Sequence, residues 1–436
     1  MPEHPPGFDA AQVSSSPPPD WLRPWRLPSY RFFLLSLGAA TLASQIQGAA
    51  VAYQLYAVTR DPLSLGLIGL AEAVPFIACA LPAGHLADVR DRRRIGLIAL
   101  VSLMLSAVAL WTASRLSGRL GTDGLRLAAY GIIGVTGVCR SFFQTARSAL
   151  AVDIVPRDLF PVAVSGRTGV RQVAAVTGPA VGGAIYAGLG PEAAYATSAA
   201  LLGFAVLSWR RIAAPGTTGA SAATAAAAPE SVRASIASSL REGFAFLGNE
   251  PLILPAIALD LFAVLFGGAV ALLPIFAEDI LRVGPRGFGL LRAAPAAGAL
   301  AMSLALIWRR PFARAGRALL GAVAVFGACM IAFGLSRSFA LSLALLAASG
   351  AADMISIVIR GTLMQVRVPS RMLGRLSAIN QIFIGSSNEI GAFESGLAAR
   401  LVGTVPSVVL GGIATLVVVA ATAWRAPALR RLGTLR

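Results

Sequence analysis

Ten charged residues lie inside stretches of this chain that are otherwise apolar. Five are acidic (Glu72, Asp260, Asp353, Glu389, Glu394) and five are basic (Arg140, Arg147, Arg171, Arg292, Arg360). A charge held in an apolar helix costs about 2.5–3.5 kcal/mol on insertion scales, so it is kept for pairing or for work. Two kinds of chemistry suit such a set. A guanidinium and a carboxylate can form a buried ion pair, or a carboxyl can take up and release a proton. Glu72 stands alone among apolar neighbours and is a proton-coupling candidate, with Asp353 and Glu389. Arg140, Arg147, Asp260, Arg360 and Glu394 are candidates for pairing or for lining a cavity. Glu394, Asn388 and Ser386-Ser387 make their stretch unusually polar.

Enzymatic constellations are missing. The chain has two histidines, no His-Glu-x-x-His, no nucleotide-binding P-loop and no aspartate-rich metal pair. Cys79, Cys139 and Cys329 lie in separate apolar runs without metal or redox spacing, as small buried residues do. No enzyme activity, no metal, no cofactor and no ATP-driven step are expected.

The elements that must hold these charges follow from composition. The 436 residues are 56% hydrophobic and 13% charged, with a mean hydropathy of +0.73. A soluble domain carries about a quarter of its residues as charges, so an ordinary soluble protein and a disordered chain are both excluded. Twelve apolar stretches approach the roughly 20 residues that cross a bilayer: 32–58, 63–87, 95–114, 127–153, 166–188, 192–209, 252–277, 287–308, 316–335, 339–366, 373–402 and 406–424. They divide the chain into a Pro/Ser-rich disordered tail (1–30), a six-helix bundle (31–209), a linker ending in an amphipathic helix at 231–247 (210–250), a second six-helix bundle (251–424) and a short tail (425–436). The fold class is an all-α membrane protein.

All 37 basic residues are arginine, and against 20 acidic residues they give a net charge of +17. With abundant alanine, this composition fits a GC-rich bacterial genome. With the N-terminus placed inside, 23 arginines fall in segments on that side and eight in loops on the other. This bias puts both termini in the cytoplasm and turns the basic excess into membrane topology. The expected partners are therefore the lipid bilayer of a bacterial inner membrane and a small molecule, not nucleic acid.

The two halves also repeat. Arg147-x-x-Leu150-x4-Val155-Pro156 recurs as Arg360-x-x-Leu363-x4-Val368-Pro369, at an offset of 213 residues. Duplicated halves around a midplane site are the pattern of a secondary transporter.

One loop carries chemistry of its own: Gly84-His85-Leu86-Ala87-Asp88-Val89-Arg90-Asp91-Arg92-Arg93-Arg94. Asp88 can sit at the positive end of a helix. Arg92 can pair with Asp153 at the inner end of the fourth span, and such a latch between bundles would favour one access state. The loop resembles the signature loop of the major facilitator superfamily, G-x-L-x-D-x-x-x-R-R. Its second-half counterpart, Arg309-Arg310-Pro311-Phe312-Ala313-Arg314, lacks the aspartate, so any latch is expected to be one-sided. Gly178-Pro179-Ala180-Val181-Gly182-Gly183 is similar to the G-P-x-x-G-G core of the antiporter motif, with Ala174 and Ser165 where further glycines are expected. Gly178 and Gly182 also form a small-xxx-small step for close helix packing, and Pro179 would kink the span.

Within the superfamily, Ala146-Arg147-Ser148-Ala149-Leu150, Ile154-Val155-Pro156-Arg157-Asp158 and Met372-Leu373-Gly374-Arg375 resemble the branch of the enterobactin exporter and macrolide-efflux proteins. The resemblance implies the major facilitator fold, with twelve helices in two pseudo-symmetric bundles that rock around a cavity lined by spans one, four, seven and ten. It implies a monomer that exports small amphipathic compounds, such as drugs or siderophores, in exchange for protons, with the proton gradient as energy source. It would let Asp353 pair with Arg140 across the pseudo-twofold and put Tyr53, Gln54, Phe142 and Phe262 on the cavity. An importer of the same fold and a membrane sensor that moves nothing are the alternatives.

Overall fold

The computed structural model describes residues 23–213, 248, 250–308 and 312–434. Residues 1–22 of the 1–30 tail, the linker helix at 231–247 and Arg309, Arg310 and Pro311 therefore lie outside the described residues. Those described form helices and short turns, with no strand among them.

The helices run in chain order. The first bundle holds α1 (Pro28–Thr59), α2 (Pro62–Val89), α3 (Arg92–Arg115) and α4 (Ser117–Asp153), then a run Phe160–Arg210 that Gly190 divides into α5 and α6. Gly190 has φ +82 and ψ 177, a conformation open almost only to glycine. The second bundle holds α7 (Ile253–Ile280), α8 (Gly284–Ile307), α9 (Ala315–Leu335), α10 (Phe339–Arg367), α11 (Ser370–Val402) and α12 (Thr404–Arg425). A short α13 (Pro427–Arg430) follows.

Two departures from the sequence pattern stand out. The seventh span is discontinuous: a helix over Ile253–Phe266 gives way to a 3₁₀ turn (Ala269–Leu272) and then a π-helical turn (Phe276–Ile280). The C-terminal tail is docked, with Leu429 buried and the Ala315 and Gly316 amides donating to Gly433 and Leu432 carbonyls (both 3.2 Å). Among the described residues, nine helices are long and apolar enough to cross a membrane by length and composition. The α5–α6 run counts once among them, and α4 and α11 fall outside. Those two carry Arg140, Arg147, Glu389 and Glu394, so the charges that lower their hydropathy are the candidate site.

Helix starts are set locally. Asp61 caps α2, accepting from the Leu63 amide (3.1 Å), with Pro62 in the first turn. Asp91 caps α3, accepting from the Arg93 amide (2.9 Å). Both satisfy amides that a helix start leaves without partners.

The hydrophobic cores fix which side of the molecule is shut. Near the termini each bundle has its own core, one around Phe33, Leu100, Leu150 and Trp209, the other around Ile253, Leu319, Leu363 and Leu429. At the far end one core joins both bundles, with Tyr53, Tyr56 and Leu65 packed with Leu272, Phe276, Phe288 and Phe333.

The bundles meet mainly along α5–α8 and α2–α11, and glycines set the approach. A Cβ on Gly183 would lie 2.5 Å from the Pro285 carbonyl oxygen and 2.8 Å from Gly289 Cα; one on Gly396 would lie 3.0 Å from the Pro62 oxygen and 2.9 Å from Gly66 Cα. The two crossings are counterparts under the repeat, since Gly183 and Gly396 are 213 residues apart. Replacing Gly183 with Val, which overpacks this contact, is expected to destabilise the detergent-solubilised protein by about 1–3 kcal/mol. Gly188→Val, where a Cβ meets nothing within 4 Å, should leave the melting temperature unchanged. Equal effects of the two substitutions would contradict the crossing as drawn.

Candidate functional site

The midpoints of α2 and α4 bring Glu72 and Arg140 together in a hydrogen-bonded ion pair. Glu72 is therefore not the lone carboxyl that its span suggests. Gly137, one turn before Arg140, faces the Glu72 backbone so closely that a Cβ there would lie 2.3 Å from the Glu72 carbonyl oxygen. That contact places the two side chains within reach. From the other bundle, Arg292 (α8) and Glu389 (α11) lie within electrostatic range of the pair. Arg292 reaches across to Gly48 of α1, and Glu389 lies against Gly69 of α2. Two carboxylates and two guanidiniums from four helices thus form one charge cluster shared by both bundles.

Beneath this cluster, on the side of the termini, the first bundle lines an open cavity of ≈ 350 Å³. It is walled by α1 (Thr41, Ser44, Gln45), α4 (Arg140, Phe143, Gln144, Arg147) and α5 (Thr168, Arg171, Gln172). The Arg140 side chain is 44% exposed although it sits mid-helix, against 21% for Glu72. With the far end closed by the shared core, solvent reaches Arg140 from the terminal side.

The far end also has a polar seal. Tyr53 donates to Glu278 and Tyr56 to Asp279. Arg60, left-handed at the end of α1 (φ 51), donates to Asp279 (2.9 Å) and Glu278 (3.3 Å). Arg400 of α11 adds a looser contact to Asp61 (3.6 Å). Glu278 and Asp279 fall just beyond the seventh apolar stretch; the signal in the sequence is an acidic pair directly after a proline-containing apolar run, with an arginine just after the first. Tyr53 belongs to this seal and not to the cavity. Gln54 is also turned away, donating to Ser114 (2.8 Å) and accepting from Tyr195 (2.7 Å) inside the first bundle. Phe142 packs against the first-bundle core, and Phe262 stacks on Phe266 of its own helix.

The expected contact between Asp353 and Arg140 does not form, because Arg140 is taken by Glu72. Asp353 stays within its own bundle, near a buried pair in which Arg360 donates to Asp260 (2.7 Å) and to Ser356 (3.2 Å). Side-chain exposure is only 7% for Arg360 and 8% for Asp260. Glu394 is half-buried and accepts weakly from its neighbour Ser395 (3.4 Å).

The model of one membrane family, the transmembrane secretion effectors, matches residues 20–432. The chain belongs to that family. Its fold is found in solved transporters of low identity. A bacterial homologue of the iron transporter ferroportin in an inward-facing state is 16% identical, with 93% of this chain and 100% of that one covered and a TM-score of 0.71. A POT family transporter in complex with 5-aminolevulinic acid is 10% identical (92% and 96% covered, TM-score 0.68). A nucleoside transporter, NupG, is 12% identical (91% and 99%, TM-score 0.65). No curated relative matches the chain by sequence. The protein is a multi-pass membrane transporter with the major facilitator fold, and not an enzyme.

In this transporter the signature loop works inside one bundle. Arg92 donates to both Asp153 oxygens (2.8 Å) and to the Ala87 carbonyl (3.2 Å), tying the start of α3 to the end of α4 and not one bundle to the other. Arg93 donates to the Arg210 carbonyl, while Trp209 donates to the Arg93 carbonyl (2.9 Å), which anchors α3 on α6. Gly84 faces open space. The Asp88 side chain lies outside those described. In the antiporter-like segment, Gly178 and Gly182 meet Gln45 and Ile46 of α1, Gly183 meets α8, and helical geometry continues through Pro179.

The buried Asp260–Arg360 pair yields a direct test. Breaking such a pair from one side costs about 3–5 kcal/mol, while replacing both partners with apolar groups is often nearly neutral. Arg360→Met alone is expected to destabilise the solubilised protein by that amount, and Asp260→Leu/Arg360→Met to recover most of it in a denaturation series. A double variant no more stable than the single would contradict the pairing.

Proposed function

We propose that this transporter is a proton-coupled exporter of small amphipathic compounds, drug-like molecules or siderophores among them, in a bacterial inner membrane with both termini in the cytoplasm. On that topology the cavity opens to the cytoplasm, where an exporter must collect its cargo.

One observation carries the reading: the cluster of Glu72, Arg140, Arg292 and Glu389 sits at the head of the cavity and draws on both bundles. Each bundle contributes one carboxylate and one guanidinium, and the four interact across the seam between the bundles. A proton taken up by Glu72 or Glu389 leaves a guanidinium without its counter-charge, and that favours a different arrangement of the bundles. A proton entering from outside can in this way reset the empty carrier, and cargo bound in the cavity can accompany the opposite swing. The Tyr53, Tyr56 and Arg60 contacts to Glu278 and Asp279 hold the outer end shut in the meantime. Asp353, beside Asp260 and Arg360 within the second bundle, has no equivalent position between bundles and takes third place as a proton carrier. The Arg92–Asp153 tie serves as a strut that lets the first bundle move as one body.

Everted vesicles with an acidified lumen provide the test, using a panel of cationic dyes, a macrolide and a catechol siderophore. At least one compound is expected to accumulate several-fold over the no-gradient control, and Glu389→Gln and Glu72→Gln should each abolish the gradient-dependent part. If nothing on the panel accumulates, or accumulation ignores the gradient, proton-coupled export is rejected.

A further inference from the structure

The cavity's arginines carry more charge than the cluster above them balances. Arg140 has Glu72, but Arg147 and Arg171 have no acidic partner among the described residues, and Arg147 is surrounded by like charges from Arg140, Arg167 and Arg171. No residue lining the cavity is acidic. The nearest favourable contact of the Arg147 guanidinium is the face of Phe143, 5.7 Å from the ring centroid.

Topology does not explain this excess. Positive charge placed by the positive-inside rule sits in loops and at helix ends, whereas Arg171 lies eleven residues into α5 and Arg147 six residues inside the end of α4. The second bundle treats the equivalent residue differently. Arg360, the repeat counterpart of Arg147, is neutralised by Asp260 at 2.7 Å. The same offset maps Asp260 onto Gln47, which is neutral and accepts from Ser198 (3.3 Å). One half of the duplicated chain therefore supplies the counter-ion internally; in the other, Gln47 is buried against Ser198 and Arg147 faces the cavity without a carboxylate.

We infer that Arg147 and Arg171 bind the anionic group of the cargo, so that the transported class is an organic anion with an apolar body. Guanidinium forks suit carboxylate, sulfonate or phenolate oxygens. Gln144 supplies a further donor, while Phe143 and Leu103 offer an apolar wall. A cavity of ≈ 350 Å³ accommodates a molecule of drug-like size. Arg140 remains paired with Glu72 and stays with the coupling cluster. This inference rests on the export reading for what the cavity is for, but not on direction or coupling, so it is tested at equilibrium without a gradient.

The full-length protein is reconstituted in phosphatidylcholine nanodiscs and titrated with 2-naphthylacetate and its neutral isostere 2-naphthylacetamide. The wild type is expected to bind the anion at least tenfold more tightly, with an affinity that falls as salt rises while that for the amide does not. Arg147→Gln and Arg171→Gln should each cost the anion about threefold or more and together remove the preference, leaving amide binding unchanged. Unchanged amide binding reports that the variants are folded, and Arg171→Lys should retain part of the preference. The titration is repeated in discs containing phosphatidylglycerol, where the anion should bind equally well. Lack of anion preference in the wild type, or a preference that survives the double substitution, would overturn the inference. Loss of anion binding only in phosphatidylglycerol would do so too, assigning the arginines to a lipid headgroup. A protein that binds the anion selectively yet moves nothing across vesicles would sink the export reading alone.

Discussion

A guanidinium inside a membrane domain needs either a counter-charge or water, and much of this structure follows from how that need is met. Arg360 has a counter-charge, buried against Asp260 within one bundle. Arg140 has Glu72 and is also half in water. Arg147 and Arg171 have no carboxylate among the described residues and stand at the wall of a cavity, Arg147 over the Phe143 ring. On the proposed reading the three solutions correspond to three jobs: fixing a bundle, coupling to protons and meeting a cargo. They also explain why α4 and α11 are too polar to read as spans by hydropathy, since their charges face neighbours or the cavity and not lipid.

The second constraint is backbone proximity. Two crossings of matching geometry, Gly183 on Gly289 and Gly396 on Gly66, hold the bundles together on the far side. There the shared apolar core and the contacts of Arg60, Tyr53 and Tyr56 close the path. On the terminal side the cores are separate. A joint tight at one end and loose at the other suits the proposed rocking about a central site, and the Arg92–Asp153 and Trp209–Arg93 ties hold α3, α4 and α6 together.

Much of this was legible before any coordinates. Apolar length, arginine placement and the 213-residue repeat gave the helix number and the two bundles, because a bilayer leaves few other ways to satisfy a backbone. The signature-loop pairing of Arg92 with Asp153 was legible too, though not that it lies within one bundle. Partners of the midplane charges were harder. Glu72 and Arg140 are 68 residues apart, and only the close approach at Gly137 selects Glu72 over Asp353 for Arg140. The far-side seal depends on the break in α7, where 3₁₀ and π-helical turns aim Glu278 and Asp279 at α1, and no periodicity announces such a break.

The central claim is that the shared charge cluster sets which end of the transporter is shut. Spin-label distances across the far side measure this directly, with labels at Arg119→Cys in the first bundle and Arg337→Cys in the second, in a chain whose three native cysteines are replaced by alanine. Neutralising both carboxyls, Glu72→Gln and Glu389→Gln, leaves Arg140 and Arg292 without counter-charge, and a longer far-side distance is expected to become populated. A distance distribution identical to that of the chain with both carboxylates intact would contradict the claim.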